Sequence, residues 1–159
     1  MSYDAIAIAN VALASAKRRE LSLTPLQLMK LTYIAHGFYL QKYSKELLSD
    51  DVQAWQYGPV VPRLYHATKH YGRNPIRDER IPEGIFVNRN VSEDAKALVD
   101  AVVSAYGNLS GPALSNLTHK PGSPWSKVWK PGVKNLKIPN SLIKSHYQDA
   151  MAKKVLDAA

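Results

Sequence analysis

Apolar positions recur along this chain with helical spacing almost throughout, and short polar stretches mark where each helix begins and ends. Residues 3 to 19 are rich in Ala, Ile, Val and Leu and close on Lys17, Arg18 and Arg19, cations suited to the negative end of a helix. Thr24-Pro25-Leu26-Gln27 reads as a capping box with Pro at the first helical position, so a second helix starts at Pro25. Stepped at about 100° per residue, Gln27, Lys30, Gly37 and Gln41 fall on one narrow stripe, while Leu28, Met29, Leu31, Tyr33, Ala35, Phe38 and Leu40 cover the remainder. A helix so nearly apolar all round is expected at the centre of the fold.

Lys45 to Asp51 is polar and turn-like. Val52-Gln53-Ala54-Trp55-Gln56-Tyr57 alternates with period two, which predicts a short strand, ended by the corner Gly58-Pro59. Helical spacing returns from Val60 to Tyr71, with Gly72 placed as a left-handed stop. From Arg73 to Arg89, prolines and charges predict a loop, with one short strand at Ile85-Phe86-Val87. Ser92 caps a helix whose apolar face runs Ala95, Leu98, Val99, Val102, Val103 and Tyr106 up to Gly107. Ser110 to Thr118 forms a short helix, Ser123-Pro124 opens another containing Trp125 and Trp129, and Asn140 opens a last one toward Leu156. The expected fold class is mainly α: one compact domain over residues 1–159, core about 5–147, of six or seven helices with at most a short strand or hairpin near 52–57 and 85–87. No internal repeat or low-complexity tract appears, and the Pro131 to Pro139 connection is too short to separate two domains.

Composition agrees with that picture. At 159 residues, 45% apolar and 21% charged, the chain can bury one real core, and it has no apolar run of the ~20 residues a membrane helix needs. A soluble protein outside the membrane is expected. The opening Met-Ser-Tyr-Asp lacks the basic-then-apolar order of a secretory signal, and zero cysteines exclude disulfides and thiolate metal sites. A cytoplasmic location follows.

Charge adds a second layer. The formal net charge is +8, and from Ala101 through Gln148 there is no acidic residue while Lys120, Lys127, Lys130, Lys134, Lys137 and Lys144 accumulate. Lys17-Arg18-Arg19 and the Arg73 to Arg80 segment add two more basic clusters. Three readings stay open on charge alone: a solvated surface, an acidic protein partner, and nucleic acid.

Catalytic signatures are missing. His66 and His70 stand four apart, a spacing that can present two imidazoles to a metal, but the segment His-Ala-Thr-Lys-His lacks the glutamate of the zinc-protease motif, and Lys69 would repel a cation. There is no Gly-x-Gly-x-x-Gly, no phosphate loop and no nucleophile elbow. The adjacent pairs Asp50-Asp51, Asp78-Glu79 and Glu93-Asp94 suit turns and helix starts. A non-enzyme without metal or cofactor is expected. His36 reads as a hydrogen-bonded, partly buried histidine, and Trp55, Tyr57, Tyr65, Trp125 and Trp129 as either core aromatics or interface anchors.

Taken together, Ala9-Asn10, Leu28 to Gly37, Ala54-Trp55-Gln56-Tyr57-Gly58-Pro59-Val60-Val61-Pro62, Tyr65, Leu114-Ser115-Asn116-Leu117-Thr118-His119 and Pro124-Trp125 resemble the Panacea, or SocA-like antitoxin, domain of bacterial and phage proteins. The resemblance spans about Ala5 to Tyr147. It implies a nearly all-helical antitoxin that neutralises a cognate protein toxin by direct binding, some members acting as adaptors to a cytoplasmic protease. Some relatives carry a helix-turn-helix unit, for which no room is expected before the first helix. Within the resemblance, Lys30, His36, His119 and Trp125 are motif positions with a structural role. Trp55, Tyr57, Pro59 and Tyr65 are candidate partner anchors, Gly58 joins them as a partner-binding candidate and with Pro59 is expected to shape the corner, and Lys120, Lys127 and Lys130 steer the encounter. A basic nucleic-acid-associated regulator and a metal-dependent enzyme using His66 and His70 are the competing readings.

Overall fold

The capping signals are met in the folded chain. In a computed structural model, residues 2–83 and 90–158 are described, with side chains to Ala152. Asp4, Thr24, Ser92, Ser110 and Ser123 each accept a hydrogen bond from a first-turn amide and so open α1 (Ala5–Arg18), α2 (Pro25–Tyr43), α4 (Glu93–Tyr106), α5 (Gly111–His119) and α6 (Pro124–Val128). Each such cap stabilises its helix by about 1 kcal/mol. Two more, α3 (Pro62–Thr68) and α7 (Asn140–Ala158), complete seven α-helices among the described residues. The fold is mainly α, with one two-stranded antiparallel sheet of β1 (Gln53–Trp55) and β2 (Gly58–Val60).

Helix α2 is the hub. It packs against α1, α3, α4, α5, α7 and β2, and its buried residues lie on every side of its axis. Leu28, Leu31 and Ile34 are each almost completely inaccessible, and burying a side chain of that size stabilises by about 1.5–3 kcal/mol. The stripe of Gln27, Lys30, Gly37 and Gln41 does not face solvent along its length. Lys30 is only 1% exposed, and Gly37 sits so close to Tyr147 of α7 that a Cβ there would lie 2.1 Å from the tyrosine ring.

Two local expectations are corrected. Gly58 and Pro59 do not end the strand; they form the second strand of a hairpin, with Gln53 opposite Val60, Ala54 opposite Pro59 and Trp55 opposite Gly58. The helix expected from Val60 to Tyr71 begins at Pro62 and narrows into a 3-10 turn over Lys69–Tyr71, stopped at Gly72 with φ 60°. The strand expected at 85–87 lies outside the described residues. The Pro131 to Pro139 connection does more than connect: Ala54 donates its amide to the Leu136 carbonyl at 2.8 Å, and Ile138 donates to the Val52 carbonyl at 2.8 Å. The hairpin is thereby fastened to the chain leading into α7.

Candidate functional site

The hairpin is held from beneath by four residues from two separate stretches of sequence, Lys30 before it in the chain and Ser115, His119 and Trp125 after it. Lys30 rises from α2 and donates from Nζ to the Pro59 carbonyl at 2.9 Å and to the Tyr57 carbonyl at 3.4 Å. Ser115 of α5 donates from Oγ to the same Tyr57 carbonyl at 2.7 Å. Trp125 of α6 donates its indole N–H to the Trp55 carbonyl. His119 lies edge-on to Trp125, ring centres 5.2 Å apart, and donates from Nδ1 to the Ser115 carbonyl. Loop carbonyls that would otherwise be unsatisfied away from water thus receive donors from three helices.

Gly58 explains why the corner must be glycine. Its φ is +121°, a conformation that side-chain-bearing residues rarely adopt, and a Cβ there would lie 2.8 Å from Lys30 Nζ. The ammonium therefore occupies the space a side chain would need. Among the described residues Lys30 has no carboxylate partner, and burial pushes its pKa down to about 7. Gly58 and Pro59 are themselves buried, so they shape the corner rather than present it.

Above this support the turn is open. Tyr57 at the tip is 70% exposed, Gln56 is exposed, and Tyr65 of α3 is 41% exposed. The Trp55 ring is half-buried, meets Tyr65 edge to face at 4.9 Å, and donates its indole N–H to Gln53 at 3.0 Å. Trp55, Gln56 and their neighbours form a wall between two grooves of about 580 Å³ each. One groove runs between the hairpin, the start of α2 and the end of α3; the other is bounded by Trp129, Pro131 and Lys134. Trp129 reaches the second through a stack on Trp125, centres 5.1 Å apart.

The candidate lysines divide. Lys120, Lys127 and Lys130 are exposed, and Lys120 and Lys127 both lie near His146, where burial and then their charges lower its pKa. Lys130 lies in sequence between Trp129 and Pro131, two residues that line the second groove. Lys17 and Arg19, by contrast, pair with Glu79 and Asp100 at 2.8 and 2.9 Å, and Arg18 reaches Asp100 at 3.4 Å. That basic cluster is largely matched within the fold.

His36 lies at the other end of α2 and is inaccessible to solvent. Its Nδ1 accepts from the Leu48 amide at 3.2 Å, which places the ring proton on Nε2, donated to Asn140 Oδ1 at 2.9 Å. Burial holds its pKa below the ordinary value, and the ring joins α2 to the start of α7. His66 and His70 do not share a site: His66 ends in α3 beside Lys69, while His70 sits in the 3-10 turn against Tyr71, ring centres 4.1 Å apart. Among the described residues no group of three or more His, Cys, Asp or Glu side chains is placed to hold a metal ion.

Residues 28–126, which contain Lys30, the whole hairpin, Ser115, His119 and Trp125, match the family model described as antitoxin SocA-like, Panacea domain. The chain belongs to this SocA-like Panacea family. The antitoxin SocA of Caulobacter vibrioides (strain NA1000 / CB15N) is 28% identical over 157 residues, covering 92% of this chain and 84% of that protein. No solved structure matches the chain significantly. In this Panacea protein the two separated blocks of family sequence meet at one object, the hairpin. Sequence reasoning missed two supports, Ser115 as a donor and the Leu136 pairing, because neither residue type carries a signal of its own. Lys30 was in view as a motif position, but nothing in its spacing shows that its charge is buried.

Proposed function

We propose that this protein is an antitoxin that neutralises a cognate protein toxin by direct binding, with the hairpin tip as the centre of the contact. The observation that carries the reading is the exposure of Tyr57 on a turn whose backbone is braced by Lys30, Ser115 and Trp125, with Tyr65 exposed beside it on α3. A large aromatic on a rigid mount loses little conformational freedom on docking, which is the property of an interface anchor. Family membership and the similarity to antitoxin SocA support the role. In this reading the protein acts in the cytoplasm as one domain, by binding rather than catalysis, and Lys120, Lys127 and Lys130 speed the encounter with an acidic partner. Delivery of the bound toxin to a protease is the finer form of the same reading.

The test is to express the neighbouring reading frame with and without this protein, score growth, and recover the tagged protein from rescued cells. Rescue with a stable complex supports neutralisation by binding, and rescue with disappearance of the toxin supports the adaptor form. A harmless neighbour, or a toxic one that is not rescued, removes the antitoxin reading. A second reading, a regulator on nucleic acid, is favoured by one observation, the run from Ala101 to Gln148 without a carboxylate. It expects duplex binding that falls steeply with salt.

A further inference from the structure

The groove on the α3 side of the hairpin has a chemistry that specifies its occupant. Leu26, Met29, Tyr57 and Tyr65 give it apolar walls, and Leu26 is 39% exposed although it lies in the first turn of the hub helix. Lys69 and Arg73 line the same groove, both exposed, and no Asp or Glu lines it. Three cations outside the groove are matched: Arg63 pairs with Asp4 at 2.9 Å, Arg80 with Glu83 at 3.0 Å, and Lys17 with Glu79 at 2.8 Å. Asp78, in the loop beyond Arg73, accepts from the Tyr71 hydroxyl. Among the described residues, Lys69 and Arg73 have no carboxylate partner.

We propose that this groove receives an acidic segment of the protein partner, one carboxylate pairing with Lys69 and Arg73 while a neighbouring large apolar side chain sits against Leu26, Met29 and Tyr65. The inference rests on the antitoxin reading for the identity of the partner, but not for the chemistry of the groove. Two unmatched cations beside apolar walls favour a carboxylate next to a Leu, Phe or Trp over either feature alone. Tyr57 closes one side, so the same side chain that caps the hairpin also lines the groove.

The probe is a fluorescein-labelled panel of octapeptides with a central Leu, Phe or Trp flanked by Asp and Glu, beside the same peptides with Asn and Gln, read by anisotropy at low ionic strength. Acidic members should bind about tenfold or more tightly than their amide counterparts. Lys69→Glu with Arg73→Glu should abolish the difference, and Lys69→Gln with Arg73→Gln should reduce it. Lys45→Glu with Lys96→Glu makes the same change in net charge away from the groove and should leave binding within about twofold. Binding by no acidic member, equal binding of acid and amide peptides, or equal loss in the control pair overturns the inference. So does preferential binding of a DNA duplex that the Lys69/Arg73 reversal abolishes. In the growth assay, wild-type rescue with equal rescue by the reversed pair overturns this inference and leaves the antitoxin reading standing. If wild type gives no rescue, the antitoxin reading falls and the peptide panel decides the groove by itself.

Discussion

An ammonium group enclosed in protein, hydrogen-bonded to two carbonyls and paired with no carboxylate among the described residues, is the least ordinary residue in this fold. Lys30 has a folded-state pKa of about 7 against an ordinary 10.5, so the unfolded chain binds more protons between those values. Unfolding free energy should therefore rise with pH from about 7 to about 10, by up to ~1.4 kcal/mol per pH unit. Lys30→Met should flatten that rise in urea titrations at several pH values, and equal slopes in both proteins would remove the explanation. Above about 10 the comparison ends, because Tyr33 and Tyr147, held neutral by burial, then favour the unfolded chain. Gly58 is coupled to this residue. Gly58→Ala should destabilise by about 1–3 kcal/mol, since it strains a positive φ and displaces the Lys30 ammonium from its carbonyls. A loss no larger in wild type than in the Lys30→Met background would mean that backbone strain alone is responsible.

At the scale of elements, the hairpin and the α2–α7 crossing call for opposite outcomes. Tyr57→Ala removes a ring that is mostly in solvent, so the melting temperature should stay within about 2 °C of wild type, a shift that corresponds to no more than about 0.5–1 kcal/mol. Toxin affinity, measured on the rescued complex, should fall by more than about 2 kcal/mol if the ring is an anchor. Unfolding in place of lost affinity would return Tyr57 to the core. At the crossing, Gly37 admits the Tyr147 ring, which also meets Tyr33 and Phe38 at 6.4 and 4.8 Å. Gly37→Ala should cost about 1–3 kcal/mol despite the better helix propensity of Ala, and pairing it with Tyr147→Leu should recover part of the loss. Additive losses in chemical denaturation would show that the contact is not the cause.

Across the whole molecule the positive charge is unevenly spent. The cations at the end of α1 are tied to Asp100 and Glu79, and Lys137 to Asp51 at 3.0 Å, whereas Lys120, Lys127 and Lys130 have no carboxylate partner among the described residues. Exposed, unpaired charge acts mainly on encounter. Replacing these three lysines with Glu should slow association with an acidic toxin by about tenfold or more at low salt and leave dissociation within about twofold. The difference should shrink as salt is raised. A change confined to dissociation would put these lysines inside the contact instead.

Much of the fold is legible in local chemistry. Thr24, Ser92, Ser110 and Ser123 declare helix starts because a capping side chain acts on amides two or three residues away. The nearly all-round apolar pattern of residues 25–43 likewise identifies the central helix, since burial on every side leaves no other place for it. The Panacea motif is equally plain as a string of letters, and with it the family. What the motif does was decided only in three dimensions. Lys30 lies 85 residues before Ser115, with Trp125 ten residues further on, and their common task is visible only where α2, α5 and α6 bring their donors under one turn. A hydrogen bond joins atoms within about 3 Å of each other, whereas sequence spacing reports neighbours only along a helix or a strand. For that reason the sequence determined which helices form and where they cap, and tertiary structure alone turned a lysine on a polar stripe into the buried support of an exposed tyrosine.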